Sequence, residues 1–203
     1  MGLMEDDRAC KMFKCPQGST AVRKPKAQFR SAGCDAISRK VSLPPSSDHT
    51  ELTECCDVRM ACQSICGIRS RVCDNRFKKC AENTCRRITD KEKRKSCEHT
   101  QQLLSMAVGL AECGPYNKAQ KKACKCVQDN EAPAHRKAQL ASFYKTYNKA
   151  MMKTVDRKVK QATSSLKWAN VVYNAMKKHP QCIIRNNAAA DSAPAKPLLR
   201  DDL

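Results

Sequence analysis

Fourteen cysteines fall between Cys10 and Cys126, and a fifteenth stands apart at Cys182. At that density cysteines are either a disulfide framework in an oxidising compartment or a set of metal ligands. Metal knuckles need CxxC pairs set against other knuckles or histidines, and the chain contains no CxxC. Its spacings are an adjacent pair, Cys55 and Cys56, then steps of six, four, seven, seven and five, and the four histidines do not sit among them. The pattern therefore reads as disulfides, and the odd count leaves at least one thiol free or paired with another chain. At 203 residues the chain holds one moderate domain plus an extension, because domains commonly run about 100–150 residues.

Disulfides imply secretion or the lumen of the endoplasmic reticulum. The first residues, "MGLMEDDR", are acidic and lack an apolar run, so no signal peptide is visible; the expectation is that the numbering begins inside a longer precursor or from a truncated gene model, the alternative being an intracellular, reduced protein. The closing "RDDL" is similar to a lumenal retrieval signal without its glutamate. No stretch of about twenty apolar residues exists to span a membrane as a helix.

Residues 1–50 are rich in Lys, Ser and Pro without helical or strand period, and read as an irregular segment. From Leu52 the period becomes helical: Cys55, Arg59, Cys62 and Cys66 follow at steps of four, three and four, on one face, before Gly67. A second helix fits Ser70 to Cys85, with Cys73, Phe77 and Cys80 inward. The steps between Cys62, Cys66, Cys73 and Cys80 let the two lie antiparallel as a crosslinked hairpin. A third helix is expected near Glu98 to Cys113 and a short fourth over Lys118 to Cys126, closing a core over 51–127. Residues 134–203 then hold 14 Lys and Arg against 4 Asp, a share of +10 in a net charge of +19. Within them Leu140, Tyr144, Tyr147, Met151, Val155, Val159, Ala162, Leu166, Ala169, Tyr173 and Met176 form one amphipathic stripe. A continuous helix of that length would span ~55 Å, so over 134–180 a break near Thr163-Ser164-Ser165, or projection beyond the domain, is expected. Residues 181–203 read as a disordered tail.

The stretches "CCDVRMACQSICGIRSRVCDNRFKKC" and "QQLLSMAVGLAECGPYNKAQKKACKC" carry a resemblance. The region from about Cys34 to Cys126 resembles a secreted phospholipase A2 of the group XII type. The resemblance implies a mainly α fold: a disulfide-crosslinked helical hairpin core, here followed by a long basic helical extension. It implies pairing of Cys55 with Cys80, Cys62 with Cys73 and Cys34 with Cys56. It also places the family's catalytic histidine at Arg59, its calcium-binding aspartate at Met60 and a supporting tyrosine at Gln63, all three replaced. The aspartate that steadies the histidine is present as Asp74. The calcium loop falls on Gly33, Cys34 and Asp35, where Gly33 fits and Asp35 stands in place of a glycine.

Ester hydrolysis of this kind needs a base of near-neutral pKa and a cation to bear oxyanion charge. Arginine stays protonated at any working pH, and a methionine thioether is soft where calcium wants hard oxygen. The expectation is a catalytically inactive phospholipase A2-like protein that binds phospholipid or an anionic membrane surface, with no cofactor. Arg59 either pairs with Asp74 or reaches solvent through an opened cleft. The alternatives are a residual calcium-dependent phospholipase A2, or a module that binds another protein through the basic C-terminal helix or through Cys182, which could instead pair with Cys10. The C-terminal stripe could also fold back over the core. Nucleic acid is not an expected partner, since aromatic residues are sparse, no nucleic-acid motif is recognisable, and a disulfide framework belongs to compartments without it.

Overall fold

The computed structural model describes residues 10–38, 50–110 and 113–185. Helices dominate it. After β1 (Ser19–Arg23), β2 (Phe29–Ser31) and the short α1 (Asp35–Ser38), a 3-10 turn at Thr50–Leu52 leads into α2 (Thr53–Gln63) and α3 (Ser70–Arg86). Then follow α4 (Lys91–Gly109), α5 (Cys113–Ala123), β3 (Cys124–Gln128), α6 (Ala132–Tyr147), α7 (Val155–Gln161), α8 (Ser165–Lys178) and β4 (Ile183–Arg185). Among the described residues no helix is long and apolar enough to cross a membrane.

The helical hairpin is α2 against α3. Cys55 is bonded to Cys80 and Cys62 to Cys73, with Cα separations of 5.7 and 5.8 Å. Cys34 is bonded to Cys56, Cys66 to Cys124 and Cys85 to Cys97. Two long closures, Cys10–Cys113 and Cys15–Cys126, fasten the N-terminal segment to α5 and β3. Cys182 is free and buried, so it does not pair with Cys10.

Several elements depart from the sequence reading. Residues 10–38 are not irregular throughout: β1 pairs antiparallel with β3, Ser19 opposite Gln128 and Arg23 opposite Cys124. Helix α2 ends at Gln63, short of Cys66. The Ser64 hydroxyl and amide both donate to the Ala61 carbonyl, and the buried Gln120 amide donates to the carbonyls of Gln63 and Ile65, so the carbonyls that would continue the helix are already satisfied. Helix α4 begins seven residues early, because the Asp90 carboxylate accepts the Lys93 amide at 2.7 Å and caps a first turn without an apolar stripe. The expected fourth helix stops at Ala123, and Cys124 to Cys126 run as strand against β1.

The basic C-terminal region is several helices rather than one. The chain leaves helical geometry at Asn148, φ −162°, passes through a 3-10 segment at Lys149–Thr154, and breaks again at Ala162 before Ser164 caps α8 through the Lys167 amide. It does not project. Ala169, Tyr173 and Met176 of α8 share a buried cluster with Phe29, Val58, Ile65 and Ile68. Arg76 of α3 stacks on the Tyr173 ring at 3.7 Å and donates to Asn170 at 2.6 Å. Leu166, placed on the inward stripe by its period, is 48% exposed, while Trp168 is buried in its stead. Beyond α8 the chain is ordered through β4, which pairs parallel with β2, Phe29 opposite Ile183. The rest of the expected tail, from residue 186, lies outside the described residues, as do residues 39–49.

Candidate functional site

Two staples hold α2 and α3 together on either side of Arg59, which sits one helical turn from both Cys55 and Cys62. Its guanidinium turns into the hairpin. Nε and one terminal nitrogen each lie 2.8 Å from Oδ1 of Asp74. The arginine side chain is 7% exposed and the aspartate 21%. Burial holds the Asp74 carboxyl above its ordinary value, against the opposing pull of Arg59 and Lys78. A guanidinium presents donors and no acceptor, and both of its facing nitrogens occupy Oδ1 of the carboxylate.

Met60 points the other way, toward the segment that follows β2. Its sulfur accepts the Ala32 amide at 3.4 Å and the Ser31 hydroxyl at 3.6 Å. The same hydroxyl accepts the Gly33 amide at 3.0 Å, and Gly33 turns the chain at φ +64°. An N–H directed at this spot favours an electron-rich atom and repels a cation. Calcium takes about six to eight hard oxygen ligands, and a thioether facing an amide hydrogen does not supply them. Among the described residues no group of three or more His, Cys, Asp or Glu side chains could hold a metal. The Cys34–Cys56 bond pins this segment to α2. Gln63 contributes a backbone carbonyl, taken by Gln120, and Gln120 stands beside Tyr116, whose hydroxyl donates to the Ile68 carbonyl at 2.6 Å. Burial pushes that phenol up to about 12.

This disulfide-stapled hairpin lies within residues 1–133, which match the group XII secretory phospholipase A2 precursor family. The chain belongs to that family. Group XIIA secretory phospholipase A2 of Mus musculus is 28% identical over 132 residues, covering 60% of this chain and 64% of that protein. The Homo sapiens group XIIA enzyme is 27% identical over the same length, covering 60% of this chain and 65% of its own. The chain thus spans just under two thirds of these group XIIA relatives. No solved structure matches it significantly. A secretory family and seven disulfides together fit an oxidising compartment, the secretory pathway or the cell exterior.

Two features escaped the reading of residues. Asp57, buried beside the Cys55-Cys56 pair, is engaged by the guanidinium of Arg185, so β4 straps the segment that carries Met60's partners. A cavity of about 390 Å³ opens between the β1–β2 connection and helices α6 and α8. None of Arg59, Met60 and Asp74 lines it. Its walls come from residues 23–29, 135–147 and 168–184, which only the tertiary fold brings together, and the burial of "STAVR" does not alternate, so no local period marks Arg23 as the end of a strand.

Proposed function

We propose that this group XII homologue does not hydrolyse phospholipid and instead binds anionic phospholipid surfaces in the secretory pathway. The observation that carries the reading is the Arg59–Asp74 pair: a permanently protonated side chain, held at 2.8 Å by a carboxylate, occupies the position that the family resemblance assigns to the general base. Met60, with its sulfur against the Ala32 amide, supports the absence of a calcium requirement. The net charge of +19 supports the choice of an anionic surface, since a basic residue near such a membrane gains about 1 kcal/mol.

The test is a pair of measurements on the secreted protein with vesicles of phosphatidylglycerol and phosphatidylcholine. Co-sedimentation with the anionic vesicles should be strong at low salt and fall steeply toward 1 M salt, where screening shortens to about 3 Å. Release of fatty acid should be the same with calcium and with chelator. Calcium-dependent release would instead favour a residual phospholipase A2, and failure to bind either vesicle would remove the lipid-surface reading.

A further inference from the structure

The cavity between the β1–β2 connection and α6 and α8 is apolar within and cationic at one wall. Leu140, Phe143, Trp168 and Val172 supply carbon surface, Arg23 supplies charge, and no Asp or Glu lines it. Arg23 is the telling residue. Its guanidinium carbon lies over the Phe29 ring, 3.7 Å from the centroid, and its nitrogens donate to the carbonyls of Ala27 at 3.1 Å and Ser64 at 3.4 Å. Among the described residues no carboxylate reaches it. A half-buried cation held by two carbonyls and a ring face, with no carboxylate, is costly unless an anion joins it. Burial draws its pKa down to about 10, which leaves it charged at neutral pH.

The volume decides what kind of anion fits. Small-molecule sites run from about 300 to 1,000 Å³, and about 390 Å³ lies near the lower end. One alkyl chain fits such a space, and the two chains of an intact phospholipid do not. We propose that this cavity binds a single-chain anionic amphiphile, a fatty-acid carboxylate, with its chain between α6 and α8 and its head group on Arg23. The assignment rests on the lipid-binding reading above and gives it a second site whose walls include neither Arg59 nor Asp74.

Two built-in reporters line the cavity: Trp168, the only tryptophan of the chain, and Cys182, the only free thiol. Laurate, kept below its micelle-forming concentration, should change Trp168 fluorescence to saturation at one molecule per chain and slow alkylation of Cys182. Dodecylammonium, with the same chain and the opposite charge, should bind at least about tenfold more weakly. Arg23→Gln should weaken laurate about tenfold or more, the scale of a lost charge-assisted hydrogen bond, and Arg23→Lys should retain most of the affinity. Because Arg23 also holds two carbonyls, Arg23→Gln could disturb folding. Ser142→Glu adds a negative charge at an exposed rim position and should weaken laurate as well. Equal binding of laurate and dodecylammonium would overturn the proposal. Dodecyl phosphate binding tenfold tighter than laurate would overturn the carboxylate assignment. Saturable vesicle binding without laurate binding would sink this inference and leave the surface reading standing, whereas loss of both would remove both.

Discussion

Both nitrogens of Arg59 that face Asp74 meet the same oxygen, Oδ1, so the contact is not a two-armed fork over both carboxylate oxygens. It is a compact pair in a place that burial makes expensive for the carboxylate. The sign of the linkage follows. Because Asp74 has a folded-state pKa raised above its ordinary value, its contribution to stability is full below that ordinary value and is lost as pH rises through the folded one. Removing the arginine alone strands the charge. Arg59→Met is expected to cost about 3 kcal/mol at pH 7, and Arg59→Met with Asp74→Leu should return to within about 1 kcal/mol of the native protein or exceed it, since apolar replacements of buried pairs are often neutral or stabilising. Without Arg59 the carboxyl takes up a proton more readily still, so the cost of the single substitution should shrink at pH 4. Guanidinium midpoints with the disulfides intact measure all three. An equal cost at pH 4 and pH 7 would mean that Arg59 stabilises by packing and not by charge.

At the scale of elements, the turn between α2 and α3 governs how α8 docks. Gly67 sits at φ +82°, and a Cβ built on it would lie 3.1 Å from the Cβ of Ser165 and 3.2 Å from its carbonyl oxygen. Gly67→Ala therefore meets two costs, about 1–2 kcal/mol for a left-handed backbone and a backbone contact at the first turn of α8. The expected outcome is a lower Tm, only partly restored by adding Ser165→Gly, which removes the side-chain contact and leaves both the carbonyl and the φ. Full restoration by Ser165→Gly would show that the conformation of Gly67 carries no strain. The hairpin itself was legible, because cysteines and Phe77 mark a 3.6-residue period over many turns. The strands were not: β2 and β4 have three residues each and meet across some 150 positions of sequence, a pairing no local pattern encodes. Helix α4 hid its first two turns because "KEKRKS" faces solvent and has no apolar residue to mark a period. Arg59, Met60 and Asp74 were reachable through the cysteine register, whereas Arg23 and Trp168 meet only in the finished fold.

Across the whole molecule, the basic C-terminal region, as far as residue 185, is part of the core and not an arm. Among its described residues most charges lie outward, Arg136 excepted, while Leu140, Tyr144, Trp168, Tyr173 and Met176 are buried, and β4 pairs with β2. Much of the apolar stripe is therefore already occupied by the protein's own core. A substitution pair distinguishes this arrangement from a projecting extension. Met176 is 0% exposed and shares a cluster with Val58, Ile65 and Ile68 of the stapled region. Met176→Ala should then cost about 2–5 kcal/mol, as a cavity in a packed core does. Leu166, on the same helix at 48% exposure, should tolerate Leu166→Ala within about 0.5 kcal/mol. The disulfides keep the unfolded chain compact, so the comparison belongs between variants at equal crosslinking and not with a reduced reference. Near-UV circular dichroism across a guanidinium series reads both values. If the two substitutions cost the same small amount, α8 is not part of the core, and the cavity walled by α6 and α8 loses its physical basis as well.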